Sequence, residues 1–463
     1  MRFVRSLAGP NEVFLPDGTP RPIYRPVLDE LEKMGAAGWE ERRRRAHELL
    51  LAEQRSFGLT GEDKTHPTEW IPRVVTSGNW EKLERGLTQR LRAINEFLRR
   101  LEQGREEVVP EEVLKTSTLY DVSTPNRFGP VPVRQIAFDI VATGDPEDPE
   151  FFVIEENAKM PVGLAPMTRR RRMTSGVVFP ESYSELGVRP LDGCLERLGH
   201  SLRAASRKGD EATLAVVSGG PADQFYLDHH IYASEMGAIL AEPKDLVLDG
   251  EGYLVHRSSG RRIDVVYERV DEDRLYAEVP GLLECHLQGR VHVLFAPNSE
   301  IIDDKGVYVF VPEMVRHYLG EEPLIDNPPT LSLAVEADYR YVMERFGELV
   351  IKSRGGYGGK EVMIGPEESR EKVENFRRKV EANPVEYIAQ EVIDFSTHLV
   401  CETDGEGILL RDSYADYRVI ALAPDPETVE VVPGSLTRVA APGRHVVNIS
   451  SGGRMKDTWV LER

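Results

Sequence analysis

The stretch "QIAFDIVATGDPEDPEFFVIEENAKMPVG", Gln135 to Gly163, restricts the fold more than any other part of the chain. Two apolar runs of strand length flank a turn rich in aspartate and proline, which reads as an antiparallel hairpin. Asp139 lies within the first run, and the second ends on Glu155, Glu156 and Asn157 before Pro161 and Gly163 turn the chain. Buried unpaired charge is costly, so these side chains either face solvent or hold something positive. Strand side chains alternate between faces, so Glu156 points away from Glu155 and Asn157 and reads as structural.

The segments on either side read differently. After a proline-rich opening loop the N-terminal part is helical: in "NWEKLERGLTQRLRAINEFLRRLEQG" the apolar residues from Trp80 to Leu101 recur at helical spacing, with Gly104 as a stop. The run Arg42 to Arg45 beside Glu40 and Glu41 reads as a solvated helix face. Residues 213–310 alternate strands with a helix, which predicts an open α/β layer with a parallel component. Beyond Ala334 come a helix, the strand "ELVIKS", the loop "RGGYGG", the strand "KEVMIG", a charged helix and the strand "YIAQEVI", then mostly antiparallel segments.

Bulk composition narrows the function. Lys and Arg total 58 against 78 Asp and Glu, a formal charge of -20, which disfavours nucleic acid as a partner. Cys194, Cys285 and Cys401 have no paired spacing, so neither a disulfide framework nor a zinc knuckle is indicated. No apolar run approaches the roughly 20 residues of a membrane span, and none at the N-terminus resembles a signal peptide. The expectation is a soluble cytoplasmic protein with no membrane partner.

In "ELVIKSRGGYGGKEVMIG", Lys352 ends a strand ahead of Gly355, Gly356, Gly358 and Gly359. Such a loop lets backbone N–H groups approach a polyphosphate, with the lysine as a fixed positive charge; a tight hairpin needing positive φ reads equally well. In "YIAQEVI", an extended segment with Gln390 or Glu391 could read adenine. Asp139, Glu155 and Asn157 would offer a few hard oxygen donors, as Mg²⁺ asks for.

Taken together, these motifs resemble the ATP-grasp ligases, whose metal hairpin has an aspartate strand followed by E-x-N and a proline-glycine turn. Lysine strand, glycine flap and adenine hinge match the other half of that domain, but in reversed order, since Glu155 precedes Lys352. The order resembles that of the circularly permuted ATP-grasp family, as do "DGTPRPIYRP", "RLYAEVPGLLE", "VVPGSLTRVA" and "SSGGRMKDTWVL". The resemblance implies an α/β (α+β) ATP-grasp fold in permuted order. It places a helical region at 1–125, the metal-hairpin half at 126–210, a pre-ATP-grasp-like α/β domain at 211–330 and the lysine, flap and hinge half at 331–463.

It further implies that Asp139, Glu155 and Asn157 hold Mg²⁺, and that Lys352 meets the phosphates of ATP under the flap of Gly355, Gly356, Gly358 and Gly359. Gln390, Glu391 and Val392 would read adenine, His398 would lie near the ribose, and Arg418 and Arg438 would contact phosphate or acyl phosphate, a structural salt bridge being the competing reading for each arginine. The implied reaction is ADP-forming ligation of a small-molecule or peptide carboxylate to an amine. Two departures stand out: "LSLAVEADYRYVMERF" supplies no first lysine, only Arg340, and Val162 stands where relatives often have serine. The missing lysine motivates a rival reading, a catalytically silent nucleotide-binding or scaffolding protein. A metal-dependent hydrolase around Asp139 and Glu155 is a third, and it leaves the glycine flap unexplained. Asp223, Tyr226 and His229 either line an acceptor pocket or cap a helix.

Overall fold

The computed structural model describes residues 1–356, 361–404, 407–441, 444–447 and 452–463. Its architecture is built around the long strand Gly407–Leu422, which is shared by two sets of partners. The first part of this strand pairs antiparallel with Thr397–Asp404 and parallel with Arg2–Val4. The second part lies between Gln135–Thr143 and Glu430–Val439, both antiparallel. Arg454–Val460 and Arg73–Val75 extend the sheet on one side and Glu150–Asn157 on the other, giving eight strands among the described residues.

The helix Ser77–Glu102 covers one face of this sheet. Thr76 caps it by accepting from the Asn79 amide, and Gly104 ends it with φ 63°. Leu83, Leu87, Leu91, Ile94, Phe97 and Leu98 are fully buried in one core cluster with Phe138, Ile140, Val153 and Val419. Each buried side chain of this kind contributes about 1.5–3 kcal/mol, so the stripe read from sequence anchors the helix. Leu164, Met167, Leu195 and Leu198 cover the opposite face through Ala137, Ile420 and Leu436.

Two smaller sheets flank the first. Strands His292–Val293, Val265–Arg269, Leu214–Ser218 and Ile239–Ala241 form an all-parallel layer, as the alternation in residues 213–310 predicts. Thr330–Ser332, Tyr387–Gln390, Val350–Ser353 and Val362–Ile364 form an antiparallel sheet that carries the lysine strand and the hinge.

Sheet membership cuts across the boundaries expected from sequence. Residues 397–463 complete the sheet of the metal hairpin instead of joining the lysine and hinge strands, and the N-terminal region supplies two strands to the same sheet. Arg43, Arg44 and Arg45 do lie on a solvated helix face, the first two paired with Glu40 and Glu41, whereas Arg42 turns inward to the buried Glu30 and the carbonyl of Val178.

Candidate active site

Within the hairpin Asp139 pairs with Glu155 and Ala137 with Asn157, but Ile140 pairs with Val153. Ile154 is therefore an extra residue, a bulge that turns both Ile154 and Glu155 toward one cleft. Asn157 returns to that cleft, while Glu156 takes the other face, as alternation requires. There Glu156 accepts from Arg90 Nε at 3.0 Å and Nη2 at 2.6 Å.

The cleft, a cavity of about 190 Å³, lies between the hairpin and the lysine sheet. Val350, Val362, Ile364, Val392 and Ile393 provide apolar walls, and the charged groups gather opposite them. Lys352 points Nζ at the carbonyl of Ile154 at 3.5 Å. The surrounding protein strips water from its ammonium and pushes its pKa down from 10.5 to about 8, against the attraction of Glu155.

A second ammonium enters beside it. Lys305 Nζ lies 3.0 Å from Glu155 Oε1 and also donates to the carbonyl of Gly356. Its backbone position is fixed by Asp304, whose carboxylate takes Arg354 Nε at 2.8 Å and Nη2 at 2.7 Å. Arg340, the cation offered by the segment that lacks a lysine, is an exposed side chain paired with Glu336 at 2.9 Å. Sequence reasoning passed over Lys305; the visible signal was the charged triplet Asp303, Asp304 and Lys305 inside the apolar run "IIDDKGVYVFV".

At the floor of the cleft Arg418 holds Asp139 through two bonds of 2.7 Å, and Arg438 reaches it at 2.8 Å. Arg438 also bonds Asp416, Nε to Oδ1 at 3.0 Å. Asp139 is buried, yet these guanidiniums outweigh the burial and lower its pKa to about 2. Asp416, with the weaker share of the arginines, is pushed upward by burial. Gly163 is required nearby: its φ is 148°, and an added Cβ would sit 3.5 Å from the Arg418 side chain.

Both oxygens of Asp139 are engaged by arginines, so in this geometry it anchors Arg418 and Arg438. Among the described residues no group of three His, Cys, Asp or Glu could hold a metal ion. Glu155, with a quarter of its side chain exposed, and Asn157, whose amide has no partner for its nitrogen among the described residues, offer oxygen donors in the cleft. That pair fits Mg²⁺, which commonly takes one or two protein ligands and fills its other positions with water and phosphate oxygens.

Gln390, Glu391 and Val392 line the cleft, but the two polar side chains are engaged. Gln390 spends its amide protons on Tyr308 Oη at 3.1 Å and Thr330 Oγ1 at 3.0 Å, which leaves Oε1 as the atom it can offer a ligand. Glu391 is held by Arg345 at 2.7 Å, and Val392 is exposed at the cleft edge. Gly356 borders the cleft and Gly355 lies next to it; Gly358 and Gly359 lie outside the described residues.

His398, expected near the ribose, does not line the cleft. It is fully buried, bonded to Tyr24 Oη at 3.0 Å and to Lys456 Nζ at 2.6 Å, because the strand Thr397–Asp404 leaves the hinge for the large sheet. Asp223, Tyr226 and His229 each have a separate partner. Asp223 caps its own turn through the Phe225 amide at 2.7 Å, Tyr226 packs on His230, and His229 bonds Ser218 at 2.7 Å.

The arrangement converges lysines, arginines and a small oxygen-donor pair on one apolar-walled cleft. The family model described as circularly permuted ATP-grasp type 2 matches residues 72–440. The chain belongs to this family. A Frankia alni protein provisionally named glutamate–cysteine ligase 2-3 is 35% identical over 98% of this chain and 54% of its own length. This ATP-grasp chain thus spans about half of that relative. An uncharacterized protein from Synechocystis sp. is 33% identical over 98% of this chain and 97% of its own. An uncharacterized Mycobacterium leprae protein is 32% identical over 97% and 82%. In overall fold the chain is similar to a glutathione synthetase-like effector from Globodera pallida, with TM-score 0.60, 12% identity and coverage of 91% and 96%. No helix among the described residues is long and apolar enough to cross a membrane.

Proposed function

We propose that this protein is an ATP- and Mg²⁺-dependent ligase that activates a carboxylate as an acyl phosphate and joins it to an amine. The observation that carries this reading is the meeting of Lys305, Lys352, Arg418 and Arg438 with Glu155 and Asn157 in one cleft. The family and the ligase names of two Frankia relatives point the same way.

Each residue has a physical task. The apolar walls and the hinge backbone take the adenine, with Gln390 Oε1 as an acceptor. Lys305 and Lys352 neutralise the phosphates and orient the terminal one. Arg418 and Arg438, held in place by Asp139 and Asp416, face the carboxylate and the transferring phosphoryl group. Glu155 and Asn157 would hold Mg²⁺, which when bound offsets charge on the phosphate oxygens. The amine then attacks the acyl carbon, phosphate leaves, and no protein nucleophile takes part. All three cysteines are buried, in keeping with this.

The silent-binder reading rests on a lysine absent from the segment around Arg340. Lys305 puts a second ammonium in the cleft, so no observation favours that reading. The test is an ADP-release screen across amino acids, short peptides and polyamines, comparing wild type with Glu155→Ala and Lys352→Ala. Turnover should vanish in both variants; near-wild-type release by either one overturns the assignment.

A further inference from the structure

The turn that follows Asn157 rests on the carboxyl-terminal edge of the parallel sheet, where open α/β sheets generally bind ligands. Asp303 fixes the turn, accepting from the amides of Ala158 at 2.6 Å and Lys159 at 3.2 Å. Arg269, the last residue of its strand, donates to the carbonyl of Pro161 at 3.2 Å. The contact therefore joins the candidate active site to a second group of charged side chains.

That group is short of positive charge. Lys159 Nζ pairs with Glu300 and stays 3.9 Å from Glu272. Glu268 lies behind them, only 2% exposed; its Oε1 takes the Phe295 amide at 2.7 Å, and its Oε2 has no partner among the described residues. The buried Tyr276 hydroxyl has none either. Three glutamates thus share one lysine. Glu272 and Glu300 keep 21% and 14% of their side chains open to solvent, so the cluster is reachable.

We propose that Glu268, Glu272 and Glu300 receive a protonated amino group of the amine substrate. This rests on the ligase reading above. A nucleophilic amine must be unprotonated to attack, so the group held here is a second one, and the substrate class is a diamine or longer polyamine. An α-amino acid would bring its own carboxylate into the acidic cluster and be repelled. Burial pushes the Glu268 carboxyl up to about 8, and the neighbouring charge of Glu272 adds to the rise.

The experiment is calorimetric titration of the full chain with putrescine, butylamine and the uncharged isostere butanediol. Glu268→Gln and Glu272→Gln are titrated in parallel, with cooperative melting as a check of fold. Putrescine should bind wild type more tightly than butylamine, butanediol should not bind, and each variant should weaken putrescine roughly tenfold or more. Equal heats from putrescine and butanediol, or variants that bind putrescine like wild type, overturn the proposal. A Mg-ATP titration on the same wild-type sample separates the claims. Mg-ATP binding without putrescine binding rejects the cation site alone; putrescine binding lost in both variants, without Mg-ATP binding, supports the cation site and rejects the ligase reading.

Discussion

Arg418 grips Asp139 from both sides of its carboxylate, Nε on Oδ1 and Nη2 on Oδ2, each at 2.7 Å, across adjacent strands in register. A carboxylate held this way aims a guanidinium and has little left to offer a metal.

Asp139→Ala should therefore act through the arginines. Removing one partner of a buried pair strands the other and costs about 3–5 kcal/mol. Urea unfolding should show that loss, while Mg²⁺ affinity in the presence of ATP stays near wild type. A variant of unchanged stability that loses Mg²⁺ would return Asp139 to the metal.

Neighbouring glutamates should separate cleanly. Glu155→Gln is expected to abolish ADP formation and leave the melting temperature close to wild type, because a quarter of the Glu155 side chain is open to the cleft. Glu156→Gln weakens the buried pair with Arg90 and should lower the melting temperature, with the ATP affinity of the folded protein retained. Parallel melting curves and ADP assays check both.

Lys352 predicts a pH dependence of two kinds. Its ammonium is the form that meets phosphate, so ATP affinity should fall as pH rises through about 8. For stability the sign is opposite: between about 8 and 10.5 the unfolded chain binds more protons at this site, so its contribution to stability rises with pH. Lys352→Met should consequently melt higher than wild type at neutral pH, by a margin that shrinks toward pH 10.5, and turn over no ATP. Melting temperature against pH for the two proteins measures this.

Lys305→Ala should reduce kcat/KM for ATP at least a hundredfold, the scale of a lost charge contact to a transferring phosphoryl group, roughly 3 kcal/mol. Arg340→Ala should leave turnover unchanged, since its guanidinium is exposed and, among the described residues, bonded to Glu336 on its own helix. Steady-state kinetics of the two variants decide which side chain supplies the second positive charge.

What was legible in the sequence follows from the range of the forces involved. The hairpin, the opposite facing of Glu155 and Glu156, and the stripe from Trp80 to Leu101 are set by local periodicity, and each lies where that periodicity puts it. Lys305 has no periodic signature; its place depends on Asp304 meeting Arg354, fifty residues later. The strands Arg2–Val4 and Arg73–Val75 have three residues each and pair with segments near the far end of the chain, so no short window shows them. His398 follows the hinge closely in sequence, but its strand is drawn into the large sheet by pairing with Asp412 to Tyr414. Asp139 was legible as a carboxylate within a buried strand, and its pairing was not, because the arginines that hold it come from strands nearly three hundred residues away.

The most direct test of the central claim is the fate of a heavy-oxygen label in the carboxylate substrate. Transfer of the terminal phosphoryl group to that carboxylate predicts one labelled oxygen in the released phosphate, ADP as the nucleotide product, and an amide lighter by one water than its two parents. AMP and pyrophosphate, or label absent from phosphate while the amide forms, would contradict it.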